Sequence, residues 1–372
     1  MTTAWTARDV AGIDPAASPT VPVIERIARA GLDDALVYWD MWPVQDSGGM
    51  PAQIAGRELW MALTAPDRGD PALRHFEAKI RLLERRGGGW RDLGPVLPDW
   101  PDAPYEREWA GSALFDGSRF TLFFTAAGTR ERPGGYQQQL YEASAGLGAD
   151  GLPSGWTRPR PSITRWHPAY MAADAHEGEA GRIKAFRDPA HFRDPADGAD
   201  YLIFTASLAG AASEYNGAVG IARRGTDGWE LLPPLIHADG VNNELERAHI
   251  VHHGGRYFAF WATQSGTFAP GLRHAPNGLY GMVADSLAGP WQPLGNGGLV
   301  LHNPAAEPLQ TYSWFVAADL VVSSFVDFWG LRGHPLPSDP IDAAVRFGGV
   351  PAPLLQLRFA DSGCSLVPPM PA

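Results

Sequence analysis

Two landmarks recur along this chain, at a spacing too long for any one secondary-structure element and too even for unrelated domains. The first is a Gly-Trp step, found at Gly89-Trp90, Gly155-Trp156, Gly228-Trp229 and, with one proline inserted, Gly289-Pro290-Trp291. Its tryptophans stand 66, 73 and 62 residues apart. The second is a polar cluster set just ahead of an apolar segment, marked by Asp40, Trp109, Arg187, Arg247 and Tyr312 at steps of 69, 78, 60 and 65 residues. Each of the first four markers leads its Gly-Trp step by 42 to 50 residues, and the fifth has none to lead. Self-similarity at a near-constant period is the mark of a repeat architecture. A four-stranded propeller blade with long loops takes up ~60–70 residues, and propellers have 4–8 blades. The 372 residues therefore accommodate five blades: an N-terminal extension over 1–34, then one five-bladed β-propeller over 35–372.

The local signals agree with an all-β fold. Ser112–Phe115, Asp116-Gly117 and Arg119–Thr125 read as a hairpin with a turn-forming Asp-Gly, and His249–His253, Gly254-Gly255 and Arg256–Trp261 repeat the design. Tyr201–Ser207 and the long apolar run Trp314–Phe328 predict further strands, while Val23–Ala30 has the spacing of one short helix. Gly 43 and Pro 34 together are about a fifth of the chain, which favours many short elements joined by turns.

Composition removes several function classes. A net charge of -11 opposes nucleic-acid binding, which needs clustered Lys and Arg against phosphate. The one cysteine, Cys364, excludes an internal disulfide and a cysteine zinc site. No apolar run approaches the ~20 residues of a membrane-spanning helix. The first residues have neither a basic start nor an apolar stretch, so no standard signal peptide is expected, leaving cytoplasmic location or leaderless export. Fourteen tryptophans serve first as core, though a flat apolar face with one N–H donor also suits a polyol.

The chemistry sits in the polar clusters. In a propeller the innermost strand of every blade lines one axial pocket, so Asp40, Asp188 and Glu246 should meet there with Arg187, Arg247, Trp39, Trp109 and Tyr312. Several carboxylates in one funnel suit glycoside chemistry: a nucleophile that stays ionised and, ~5–5.5 Å away, an acid/base that holds a proton. Burial and like-charge proximity supply that difference. The plain alternatives are a turn carboxylate for Asp40, a turn former at Asp188-Pro189 and a solvated pair for Glu246-Arg247. His249, His252 and His253 resemble a metal cluster, but alternation along a strand sends 249 and 252 to opposite faces.

Taken in order, Trp39-Asp40 with Trp42-Pro43, Glu108-Trp109-Ala110-Gly111-Ser112, Phe186-Arg187-Asp188-Pro189, Glu244-Leu245-Glu246-Arg247 and Gln310-Thr311-Tyr312-Ser313 resemble glycoside hydrolase family 68, the levansucrases, inulosucrases and β-fructofuranosidases. The resemblance spans roughly residues 35 to 330 and implies a five-bladed propeller with a central axial active-site pocket. It implies Asp40 as nucleophile, Glu246 as general acid/base and Asp188 as transition-state stabiliser. Trp39, Trp109, Arg187, Glu244, Arg247, Gln264 and Tyr312 would then shape a sucrose pocket. The implied activity is retaining β-fructosyl transfer from sucrose to water, sucrose or fructo-oligosaccharides, with no cofactor and no metal. Predominant hydrolysis, or sugar binding without turnover, are the alternatives.

Three departures from the family pattern qualify this. Ala110 stands where many relatives have a serine able to donate to the nucleophile. Gln264 replaces a cationic residue tied to polymer growth, which tilts the expectation to short products. Asn243 replaces an aspartate of the calcium site found in some relatives. On a regular strand Glu244 and Glu246 share a face, and Arg247 points away to pair elsewhere.

Overall fold

The computed structural model describes residues 2–173, 184–360 and 363–367. It is nearly all β. Antiparallel strands form three five-stranded sheets and one ten-stranded sheet. The ten-stranded sheet joins two antiparallel meanders through a short parallel contact, Val44 and Gln45 against Ala113 and Leu114. Five meanders thus follow one another along the chain. Each opens with a strand that carries one polar cluster: Leu36–Gln45, Arg107–Phe115, Phe186–Arg193, Glu246–His253 and Thr311–Val316.

The two landmarks mark opposite edges of these meanders. The polar clusters lie on the first strand, whereas Gly89-Trp90 and Gly228-Trp229 open the fourth strands Gly89–Pro95 and Gly228–His237. Their phase is therefore the length of one meander. Strands such as Arg119–Ala127 and Asp200–Ser207 are buried on both faces over most of their length. That is the pattern of sheets stacked against neighbours on either side. The cores between them are aromatic and aliphatic, with Trp42, Trp60, Trp261 and Trp314 fully buried.

Both predicted hairpins form, Arg107–Phe115 with Arg119–Ala127 and Glu246–His253 with Arg256–Thr263. One local expectation fails. Val23–Ala30 is not helical: the Ile24 N–H donates to Gln310 Oε1 (3.1 Å) and Gln310 Nε2 donates to the Pro22 carbonyl (2.8 Å), so backbone groups at its start are committed to a tertiary partner. The apolar run Trp314–Phe328 forms strands as expected, within Thr311–Val316 and Val321–Phe328, with the chain folded back at Leu320 (φ 65°). Ahead of residue 35, Thr3–Ala4 pairs in parallel with Ile236 and His237, and Trp5 is buried against Trp261 and Tyr280.

Candidate active site

The same irregularity interrupts the first strand of every meander. Register shifts fall between Trp39 and Met41, Trp109 and Gly111, Arg187 and Ala190, Glu246 and His249, and Tyr312 and Phe315. Within four of these bulges one non-glycine residue lies in the left-handed region: Asp40 (φ 39°), Asp188 (59°), Arg247 (53°) and Ser313 (59°). Such backbone is costly for side chains with a Cβ and is concentrated at functional sites. In the second meander Gly111 solves the problem differently, because a Cβ there would lie 1.8 Å from the Phe123 carbonyl oxygen.

A regular strand sends adjacent side chains to opposite faces, and a bulge re-aims one of them. Here five bulges turn five consecutive pairs towards the same space. Trp39-Asp40, Trp109-Ala110, Arg187-Asp188, Glu246-Arg247 and Tyr312-Ser313 all line one cleft of about 560 Å³, joined by Glu244 and Gln264. All ten residues singled out from sequence are in its wall. The expectation that Arg247 faces away is overturned for this reason: the strand is bulged at that point, and Glu244 itself precedes the strand.

Arginine 187 organises the carboxylates. Its Nη2 lies 2.8 Å from Glu246 Oε1 and 3.2 Å from Glu244 Oε1, and its Nε lies 3.5 Å from Asp188 Oδ2. The Tyr312 hydroxyl donates to Glu246 Oε2. Gln264 bonds the same hydroxyl. Asp188 is fixed by its own N–H, donated to Thr125 Oγ1 (2.8 Å), and its Oδ2 accepts from Thr205 Oγ1 (3.2 Å) and the Arg247 N–H (3.4 Å). The Arg247 guanidinium sits over Trp42 (5.3 Å) and Phe315 (5.5 Å), and its Nη1 reaches Ser313 Oγ (3.4 Å). Ser313 in turn hydrogen-bonds the Asp40 carboxylate. Ala110 supplies no hydroxyl, and Ser313 is the hydroxyl that favours the charged form of Asp40.

Burial dominates the protonation of the site. It raises Asp40, against which the Arg247 charge and the Ser313 hydrogen bond act. It raises Asp188 to about 6 despite Arg187 and Arg247. Burial and the adjacent Glu246 carboxylate push Glu244 up to about 7, with Arg187 opposing. Removal from water thus favours the protonated forms of Asp188 and Glu244.

The aromatic side of the cleft has a member missing from the sequence reading. His75, on the short turn Pro71–Phe76, lies between the rings of Trp39 (6.1 Å) and Trp109 (6.4 Å), and its carbonyl accepts from Trp109 Nε1 (3.0 Å). Burial and the charges of Arg74, Arg187 and Arg107 hold its pKa well below the usual histidine range. Arg74 and Asp327 also line the cleft. No sequence spacing pointed to these three, which lie outside the repeated clusters.

Among the described residues, no group of three or more His, Cys, Asp or Glu side chains is arranged to hold a metal ion. His249 is structural. It stacks on Phe315 (4.4 Å), accepts the Val316 N–H at Nε2 (2.9 Å) and donates from Nδ1 to the Arg247 carbonyl (2.7 Å). Asn243 Nδ2 is committed to the Glu214 carbonyl (2.8 Å).

The sequence matches the levansucrase/invertase family over residues 1–222 and 210–366. It is 29% identical to a levansucrase of Erwinia amylovora, covering 95% of this chain and 92% of that one. It is 30% identical to a levansucrase of Zymomonas mobilis, covering 95% and 88%. Its fold is similar to that of the inulosucrase from Halalkalicoccus jeotgali bound to kestose, with a TM-score of 0.87 and 34% identity over 98% of this chain and 95% of that one. The chain belongs to the levansucrase/invertase family, glycoside hydrolase family 68.

Proposed function

We propose that this protein is a retaining β-fructosyltransferase acting on sucrose, and that its five meanders are the blades of a five-bladed β-propeller whose axial pocket is the cleft. The observation that carries the reading is the set of five bulges, three of which deliver three carboxylates and two guanidinium groups from three separate strands into one cavity. A cavity of this size suits a disaccharide.

In this reading Asp40 attacks the anomeric carbon of the fructosyl unit while Glu246 protonates the departing glucose oxygen. Asp188, held by Thr205 and the Arg247 N–H, stabilises the oxocarbenium-like charge. Glu246 then takes the proton of water or of an acceptor hydroxyl. Arg187 and Tyr312 position Glu246, and Glu244 beside it keeps an acidic proton near the leaving group. Trp39 and Trp109 supply apolar faces for the sugar ring. Gln264 carries no charge to hold a growing chain, which favours hydrolysis and short fructo-oligosaccharides over long polymer.

The test is the balance of glucose and fructose released from sucrose. Glucose in excess of fructose is expected, and equal release would make the protein a β-fructofuranosidase. Release of neither sugar would reduce the cleft to a binding site and overturn the reading.

A further inference from the structure

The last residues of the Val321–Phe328 strand bring a further acidic side chain to the cleft. Phe325, Asp327 and Phe328 all line it. Asp327 Oδ1 is buried without a hydrogen-bond partner. Arg74, from the Pro71–Phe76 turn, lines the same cleft. Its guanidinium lies over Trp39 (5.6 Å) and Phe347 (4.8 Å), its Nη1 donates to the Pro71 carbonyl (2.6 Å), and its Nε is also buried and unpartnered. Arg74 feels the charges of Asp327, Asp40 and Asp70, so the two side chains are electrostatic neighbours, yet no ion pair within 4.0 Å joins them among the described residues. An acceptor and a donor thus stand in one wall of the cleft, each lacking the partner that buried polar groups nearly always have.

A sugar hydroxyl is complementary to that pair, since it donates once and accepts through its oxygen. We infer that Asp327 and Arg74 are substrate-positioning residues that together bind one hydroxyl of the furanosyl unit attacked by Asp40. The hydroxyl proton goes to Asp327 Oδ1 and its oxygen accepts from Arg74 Nε. The inference rests on the cleft taking a fructoside. Neither residue takes part in bond making. Their contribution is to hold the ring against Trp39 with its anomeric carbon facing the nucleophile.

The test compares Asp327→Ala and the near-isosteric Asp327→Asn with the unaltered protein, on sucrose and on sucroses lacking one fructosyl hydroxyl at a time. On sucrose, Asp327→Ala is expected to lower kcat/KM about 10–100-fold, the range for a lost hydrogen bond to a charged group. Asp327→Asn should fall less. On the one deoxy-sucrose lacking the bound hydroxyl, the unaltered protein should itself be slowed and Asp327→Ala should slow it no further. The idea is overturned if Asp327→Ala costs the same factor on every deoxy-sucrose as on sucrose, which would mark a merely structural carboxylate, or if both variants keep the full kcat/KM. Failure of the underlying reading is distinguishable, because the unaltered protein would then release no glucose from sucrose at all.

Discussion

Asp188 and Asp200 lie on neighbouring strands of one sheet, each beside an arginine, and their carboxyl groups behave in opposite ways. Asp188 stands at the bulged end, within 3.5 Å of Arg187, and burial still raises it to about 6. Asp200 stands at the other end, where burial also pushes upward. There His191 (2.9 Å) and the forked Arg193 (2.9 Å to each oxygen) outweigh it and hold Asp200 well below the usual carboxylate range. Asp188 is nearly inaccessible, whereas the Asp200 side chain keeps 27% of its surface in water. Cations near a carboxylate do not by themselves decide its charge. Removal from water does so at the cleft end, and a bidentate partner does so at the wet end.

The comparison breaks most visibly at the cleft end. Asp40→Asn and Glu246→Gln should each reduce sucrose turnover by about 10³–10⁶-fold, because in the proposed mechanism each group acts in both half-reactions. Near-normal initial rates in either variant would remove these residues from the mechanism.

Asp188→Asn sharpens the contrast by separating activity from stability. Turnover should collapse while the fold becomes more resistant. A carboxyl whose folded pKa is raised contributes stability that is full below its unfolded value, ~3.9, and is lost as pH rises through about 6. The asparagine form escapes that loss. Urea unfolding at pH 8 should show a gain on the order of 1–3 kcal/mol, shrinking towards pH 4. A gain that is greatest in acid would refute the argument.

At the wet end the effect is smallest and its sign reversed. Asp200→Asn should cost under about 1 kcal/mol at pH 7, since the group is partly solvated, with unchanged sucrose turnover. Its folded pKa is lowered, so its stabilisation is present above ~3.9 and disappears as pH falls. Variant and parent melting temperatures should therefore converge in acid, and divergence there would show that Asp200 acts through packing.

Sequence reasoning reached far into this site because its residues come in repeated clusters ahead of apolar strands. Each cluster marks the first strand of a meander and each Gly-Trp step the vicinity of its outer edge, so the period was visible without coordinates. It stopped where a local rule met a tertiary decision. Alternation along a strand sent Arg247 away from Glu246, and the bulge at that place brings both into the cleft. The helical spacing of Val23–Ala30 was real, but the start of the segment is hydrogen-bonded to Gln310, some 286 residues away, and no helix forms.

The order of elements, the strand character of the hairpins and eight residues of the cleft wall were legible in the pattern of the amino-acid sequence, and the family resemblance added Glu244 and Gln264. Hydrophobic alternation, turn chemistry and repeat length are all properties of neighbours along the chain. The left-handed backbone at Asp40, Asp188, Arg247 and Ser313, the choice of Ser313 as the donor to Asp40, and the placing of Arg74, His75 and Asp327 were decided only in three dimensions. Bulges, burial and the meeting of distant side chains depend on what packs against a strand, which spacing along that strand does not encode.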